Sequence, residues 1–290
     1  MRPFELVEPR SLDEACAVLG DDHARPVAGG TALLTLIKQG LYVPGTLVNL
    51  RKIPNAGCID YDPQNGLRIG ALATISEVES SPVVREHYPV LAEACHVVAN
   101  IRIRNMATIG GNLAHGDHQS DPPTVLAALD AELELIKKGG RRRVKIADFL
   151  LGSYETALQP GELISALFLP SPPAGLSGVY LKFTTGSSEE RPCIGIAALA
   201  RIEEGTCREL RLAVGAVSPR PLRMHPSEAM ARDRTLTAEL LDRIAVETAQ
   251  SVEPIDDVRG PASYKRHLTQ VLTRRAVAAC TASKEAEQRR

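Results

Sequence analysis

Apolar and polar positions along this chain change style near residue 172. Before that point, short strand-like and helix-like runs alternate. Residues 3–8 predict a first strand. Ser11-Leu12-Asp13-Glu14 has the layout of a capping box and opens a helix that stops near Gly20. Pro26-Val27-Ala28 predicts a short strand running into Gly29-Gly30. Leu33, Leu34 and Ile37 then recur at helical spacing as far as Gly40, and residues 46–50 form a strand. Residues 58–61 and 67–71 read as strands paired across Gln64-Asn65-Gly66. A short helix starts at Thr74. A longer one over 89–98 places Leu91, Ala94, Cys95 and Val98 on one face. Residues 132–136 and 143–146 make a hairpin turned at Lys138-Gly139-Gly140, and 162–167 is a further strand.

Ser171-Pro172-Pro173-Ala174-Gly175 reads as a linker. Beyond it come three longer strands, 179–183, 194–202 and 209–217, the last two joined at Glu203-Glu204-Gly205-Thr206. Helices follow over 238–250 and 263–280, and a charged tail from Lys284 to Arg290 is expected to fray. Strands followed by helices predict a separate α+β domain. The expected division is 1–55, 56–172 and 176–282. No internal repeat is longer than a doubled Gly-Gly.

That doublet is the first candidate for chemistry. Ala28-Gly29-Gly30-Thr31-Ala32-Leu33-Leu34 and Thr108-Ile109-Gly110-Gly111-Asn112 each bare the backbone of Cβ atoms, so a ligand or other backbone can come close. After the second, Ser120 or Asp121 can cap a helix that begins with Pro122 and Pro123. Bare glycine turns near a capped helix start suit phosphate oxygens or sugar hydroxyls. Two of them predict a ligand with two phosphates held from both sides. Neither a G-x-G-x-x-G fingerprint nor a Walker loop is present, which excludes the common nucleotide folds.

Composition narrows the field. The 290 residues suit two or three subdomains, and 44% hydrophobic with 24% charged content is ordinary for a soluble globular protein. A net charge of −1 gives no general attraction to nucleic acid or anionic membrane, and the absence of Trp counts against stacking platforms for single strands. No apolar run reaches a bilayer span, and the N-terminus lacks the apolar core of a signal peptide, so a cytoplasmic location is expected. The six cysteines lie too far apart for an iron–sulfur or zinc set and are expected to be reduced and mostly buried, with no metal site.

Several segments together resemble a known family. They are Pro26 to Leu34, then Ile103 to Leu113, Ser120-Asp121, Tyr180-Leu181-Lys182-Phe183 and Asp257 to Leu268. In this order they resemble the FAD-binding medium subunit of the molybdenum hydroxylases, the xanthine dehydrogenase and carbon monoxide dehydrogenase group. The resemblance implies an α+β fold: a two-lobed PCMH/VAO-type FAD-binding domain, then a smaller C-terminal α+β domain with a three-stranded antiparallel sheet and helices. It implies that the FAD pyrophosphate lies between the glycine segments. Pro26, Val27, Ala28, Gly29, Gly30, Thr31, Ala32 and Leu33 match the first FAD loop, and Thr108, Ile109, Gly110, Gly111 and Asn112 the second. Asp121 matches a carboxylate that hydrogen-bonds ribityl or ribose hydroxyls. Ile164 sits where a strand backbone touches the flavin, and Lys182 matches a lysine at the isoalloxazine edge. The resemblance assigns no catalytic side chain to this chain.

It also implies partners: a large molybdopterin-binding subunit and a small subunit with two-iron two-sulfur clusters, in a dimer of heterotrimers. Electrons would pass from the clusters through FAD to NAD, oxygen or another acceptor. The alternatives are a stand-alone FAD-dependent oxidoreductase and a scaffold module without cofactor. One segment departs from the family pattern. Gly186 stands where an arginine is expected four residues after Lys182, so no flavin-face arginine or NAD site is carried over.

On their own residues, several of these positions keep a plainer reading. Gly29-Gly30 could be only a tight turn, Asp121 only a helix cap, and Lys182 only a solvated strand lysine. His115-Gly116-Asp117-His118 reads as a polar loop at the cofactor edge. Arg104-Asn105 either orders its loop or approaches phosphate. Lys137, Lys138 and Arg141 to Arg143 make a basic hairpin tip, either solvated or facing a partner.

Overall fold

The computed structural model describes residues 3–20 and 23–288, with side chains through Cys280. Three larger sheets are laid out along the chain, together with a two-stranded one, Leu150–Gly152 with Glu155–Thr156. The first is parallel, with Thr46–Asn49 between Glu5–Val7 and Ala24–Val27. Its helix Leu12–Val18 is capped as the sequence predicts, Ser11 accepting the Glu14 N–H at 3.1 Å. The returning Glu14 carboxylate takes the N–H of Arg10, one residue before the expected position. Ala15, Cys16, Leu19 and Val48 form a small core that reaches Ile136 and Leu163 of the next unit.

The second sheet has five antiparallel strands in the order Ile59–Asp62, Gly66–Gly70, Leu163–Leu169, Glu132–Lys137, Gly140–Lys145. The central strand reads Leu-Ile-Ser-Ala-Leu-Phe-Leu, a nearly continuous apolar run fitting a strand covered on both faces. Helices Ile75–Ser80, Pro82–His87, Pro89–His96 and Asp121–Ala128 share its main core, with Leu91, Leu126, Leu133 and Phe149 fully buried. Thr74 and Glu77 make a full capping box.

The third sheet is antiparallel: Leu176–Phe183, Ile194–Glu203, Thr206–Gly215 and Leu222–Arg223. The two-residue fourth strand adds to the three expected from the pattern; two residues carry no alternation to read. Helices His225–Ala231, Ala238–Gln250 and Ala262–Gln288 accompany this sheet, and side chains from the sheet and helices share one core. The last helix runs on through Gln288, so residues 284–288 of the tail expected to fray are helical, and residues 289–290 lie outside the described residues. No helix among the described residues is long and apolar enough to cross a membrane.

Two of the sheets meet through the helix Asp121–Ala128. An ideal Cβ on Gly215 would lie 1.9 Å from Thr124 Oγ1, so this glycine lets the third sheet seat directly on the helix. Arg223 adds a bond to Asp130 Oδ1 at 2.7 Å.

Candidate cofactor site

Between the first two units lies a cleft of about 720 Å³, within the range of roughly 300–1,000 Å³ usual for ligand sites. One wall is the first glycine loop, Arg25 to Leu33. A second is formed by Ala71, Leu72, Ala107, Thr108, Gly110 to Asn112, Ala114 and His115. The third is the segment from Leu158 to Ile164. Of the residues expected to contact a cofactor, Pro26 to Leu33, Thr108, Gly110, Gly111, Asn112 and Ile164 line this space. Ile109 lies behind the wall, fully buried in the core.

The two glycine segments touch. An ideal Cβ on Gly29 would fall 2.0 Å from the Met106 carbonyl oxygen and 2.8 Å from Ala107 Cα, closer than side chains tolerate. Gly29 therefore lets one loop rest on the backbone leading into the other.

They are not alike in design, however. The second segment is no free turn. Thr108 is the N-cap of a helix, Ile109–His115, and its hydroxyl accepts the Gly111 N–H at 3.1 Å. The N–H groups of Ile109, Gly110 and Asn112 also donate within the chain, to Ala73, Ala71 and Thr108 carbonyls at 2.9 Å each. A glycine pair has poor helix propensity, which hides this helix start from a pattern reading. At Gly111 an added Cβ would meet only Thr108 Oγ1 at 2.8 Å, so this glycine faces open space in the cleft.

The first loop is different. Gly30 is left-handed, with φ of +73°. Among the described residues, the N–H groups of Gly29, Gly30, Thr31 and Ala32 donate to no acceptor on the chain. Four consecutive unspent donors along a cleft wall suit an anion, since such runs of backbone N–H groups form anion-binding concavities.

Asp121 and Lys182 lie outside the cleft lining, paired with each other. Lys182 Nζ is 3.1 Å from Asp121 Oδ2 and donates to the Val97 carbonyl at 2.7 Å; the Tyr180 hydroxyl donates to Asp121 Oδ1 at 2.8 Å. The Lys182 side chain is 7% exposed and that of Asp121 5%. Burial pushes the Asp121 carboxyl up to about 6, against the opposing pull of Lys182 and Tyr180. Asp121 occupies the first helical position after Ser120, which makes no side-chain cap bond; instead the Ser120 hydroxyl donates to Asn112 Oδ1 at 2.9 Å.

Arg104 orders its surroundings. Buried, it donates from Nε to Glu79 Oε2 at 2.9 Å and from Nη1 to the Val98 carbonyl at 3.1 Å. His115 lines the cleft as the last helical residue, and Gly116 caps the helix in the left-handed region. Burial lowers the affinity of the His115 ring for a proton, with Asp117 opposing. Arg191 reaches Asp117 at 2.8 Å, and Glu189 accepts from Asn100 at 3.0 Å. The segment around Gly186 is thus tied to the second unit at two points.

The wall from Leu158 to Leu163 was not foreseen. Its signal was Pro160-Gly161, a turn dipeptide inside an otherwise unassigned stretch.

Comparison with known proteins agrees with this geometry. The family model described as FAD binding domain in molybdopterin dehydrogenase matches residues 2–172, and that of the CO dehydrogenase flavoprotein C-terminal domain matches 183–280. The medium chain of carbon monoxide dehydrogenase from Hydrogenophaga pseudoflava is 32% identical over 96% of this chain and 97% of its own. The xanthine dehydrogenase FAD-binding subunit of Escherichia coli is 29% identical over 94% of each. The solved carbon monoxide dehydrogenase of H. pseudoflava superposes with a TM-score of 0.93 at 33% identity, covering 97% of this chain and 99% of that one. The matching family models and relatives are those of flavoprotein subunits of oxidoreductases. The chain belongs to the family of FAD-binding medium subunits of the molybdopterin dehydrogenases.

Proposed function

We propose that this chain binds FAD in the cleft between its first two units and relays electrons within a molybdenum hydroxylase complex. The observation that carries the reading is the run of four unspent N–H groups at Gly29 to Ala32, resting on the start of the second glycine segment. These donors would hold the anionic pyrophosphate. The second segment contributes close approach, since its own donors are used internally. Gly111 leaves that wall bare, Asn112 offers an amide steadied by Ser120, and the backbone at Ile164 offers a strand edge to the flavin. When bound, FAD supplies the redox chemistry, taking up and releasing electrons.

Asp121 and Lys182 support the site from behind. Their buried pair locks the third sheet against the helix that follows the second glycine segment. The three units 1–55, 56–172 and 176–282 then act as two cleft lobes and a backing domain.

The partners in this reading are a large molybdopterin subunit and a small subunit with two-iron two-sulfur clusters, in a dimer of heterotrimers. Electrons pass from those clusters through this chain to NAD, oxygen or another acceptor. The six cysteines are free thiols, five of them buried, which suits a reducing cytoplasm.

Gel filtration of the natively expressed protein tests the assembly. Co-elution of bound flavin with a large and a small subunit is expected. A lone, flavin-loaded, active chain would instead favour a stand-alone oxidoreductase, and a flavin-free complex would point to a scaffold.

A further inference from the structure

The outermost strand of the five-stranded sheet, Gly140–Lys145, reads Gly-Arg-Arg-Arg-Val-Lys. Arg141 and Arg143 are 64% and 54% exposed, with Glu134 and Glu132 at 3.7 and 4.0 Å; such pairs contribute little. Strand alternation turns Arg142 to the other face. There its Nε donates to Glu162 Oε1 at 2.8 Å and its Nη2 to Glu162 Oε2 at 2.7 Å. Nη2 also donates to the Ala157 carbonyl at 2.7 Å. The Glu162 side chain is 2% exposed.

This carboxylate holds a turn. The Gln159 N–H donates to Glu162 Oε2 at 2.8 Å, and the Glu162 N–H donates to the Gln159 carbonyl at 2.9 Å. Pro160 occupies the second turn position and Gly161 the third, with φ of +77°, the conformation a type II turn demands there. The turn and its flanks, Leu158 and Leu163, form the third wall of the cleft. Lys137, from the neighbouring strand, reaches Gln159 Oε1 at 3.4 Å.

We infer that Arg142, acting through Glu162, is a positioning residue for the cofactor: its forked ion pair sets the Pro160-Gly161 turn that walls the same cleft as the first glycine loop. The inference rests on the FAD reading above. It gives part of the basic hairpin a task that neither solvation nor partner binding describes. Only arginine suits it, because a guanidinium presents two parallel donors to one carboxylate, whereas a lysine ammonium is a single point charge.

The test uses the full chain purified with its partner subunits, reloaded with FAD after flavin removal. Arg142→Met, Arg142→Lys and Glu162→Gln are compared with wild type, and Arg141→Met controls for loss of a nearby charge. The readouts are the FAD dissociation constant, the visible circular dichroism of bound flavin, and melting of the flavin-free protein. Arg142→Met should weaken FAD by about tenfold to a hundredfold, the scale on which loss of an outer residue that orients a binding group is felt. It should also change the flavin dichroism. Arg142→Lys should restore part of the affinity, and Arg141→Met should match wild type. If Arg142→Met is too unstable to purify, Arg142→Lys and Glu162→Gln carry the same comparison. Flavin-loaded wild type with unchanged affinity and dichroism in the Arg142 and Glu162 variants overturns the inference alone, as does equal weakening by Arg141→Met. A wild-type complex that takes up no FAD overturns the FAD reading and this inference with it.

Discussion

Replacing Gly29 by alanine probes the contact on which the cleft depends. The added methyl would sit 2.0 Å from the Met106 carbonyl oxygen and 2.8 Å from Ala107 Cα, both backbone atoms that no rotamer change can move aside. Bringing the shorter contact to 3.0 Å requires the two segments to part by about 1 Å. Overpacking of this kind costs roughly 1–3 kcal/mol. Reduced freedom of the unfolded chain returns about 0.4–1 kcal/mol. A net loss of roughly 1–2 kcal/mol should lower the melting temperature by a few degrees. The cofactor should suffer more than the fold, because the parted segments are two walls of one cleft. A tenfold loss of affinity needs only about 1.4 kcal/mol. Titration of flavin-depleted protein with FAD, followed by flavin fluorescence, measures this beside calorimetric melting. Gly111→Ala is the control for the melting measurement alone, because Gly111 itself bares the cleft wall. Its methyl meets only the Thr108 hydroxyl, and the loss of a cap, about 1 kcal/mol, is offset by a similar gain in helix propensity. Wild-type affinity and melting in Gly29→Ala would show that the segments are not packed as described.

Two further predictions concern the buried charges. Lys182→Met should destabilise the protein by roughly 1–2 kcal/mol in urea unfolding at pH 7 and by more at higher pH, because the stranded Asp121 carboxyl, already raised to about 6, takes up a proton at a cost of about 1.4 kcal/mol per unit of pH above that value; adding Asp121→Asn should recover much of the loss. A Lys182→Met penalty that is absent at pH 8 would contradict the buried pair. The pH dependence has two opposite parts. Asp121 is raised by burial to about 6, above its unfolded value, so the folded state holds its proton more tightly. Its contribution is fully present below the ordinary carboxylate range and is lost as pH rises through about 6. Glu162 is held below the ordinary range by its bonds with Arg142, so its contribution is present above that range and lost as pH falls through the lowered value. In melting curves against pH, Asp121→Asn and Glu162→Gln should therefore depart from wild type in opposite directions on acidification; a shared direction would refute the assignment.

Much of the fold was legible because its elements carry local signals. The helix starts at Ser11 and Thr74, the apolar face of Pro89–His96, the Gly66 hairpin and the buried run Leu163–Leu169 each announce themselves within a few residues. The doublets at Gly29 and Gly110 were legible as places of close approach. What they approach was not, since that is backbone far away in sequence: Met106 and Ala107 for one, Ala71 for the other. For the same reason Lys182 and Asp121, 61 positions apart, could not be read as partners. The third cleft wall was missed because its one local sign, Pro160-Gly161, acquires meaning only once Arg142 and Glu162 are brought together. Short helices such as Ile101–Arg104 and Ile146–Phe149 lay below what a periodicity of 3.6 can reveal.

The most direct test is the amount of FAD released per chain on denaturing the purified native complex, in wild type and in Gly111→Leu. A leucine at Gly111 projects into the cleft while leaving the core behind it untouched. The account predicts stoichiometric FAD from wild type, little or none from the variant, and similar melting of the two flavin-free proteins. Full FAD retention by Gly111→Leu, or no FAD in wild type, would contradict it.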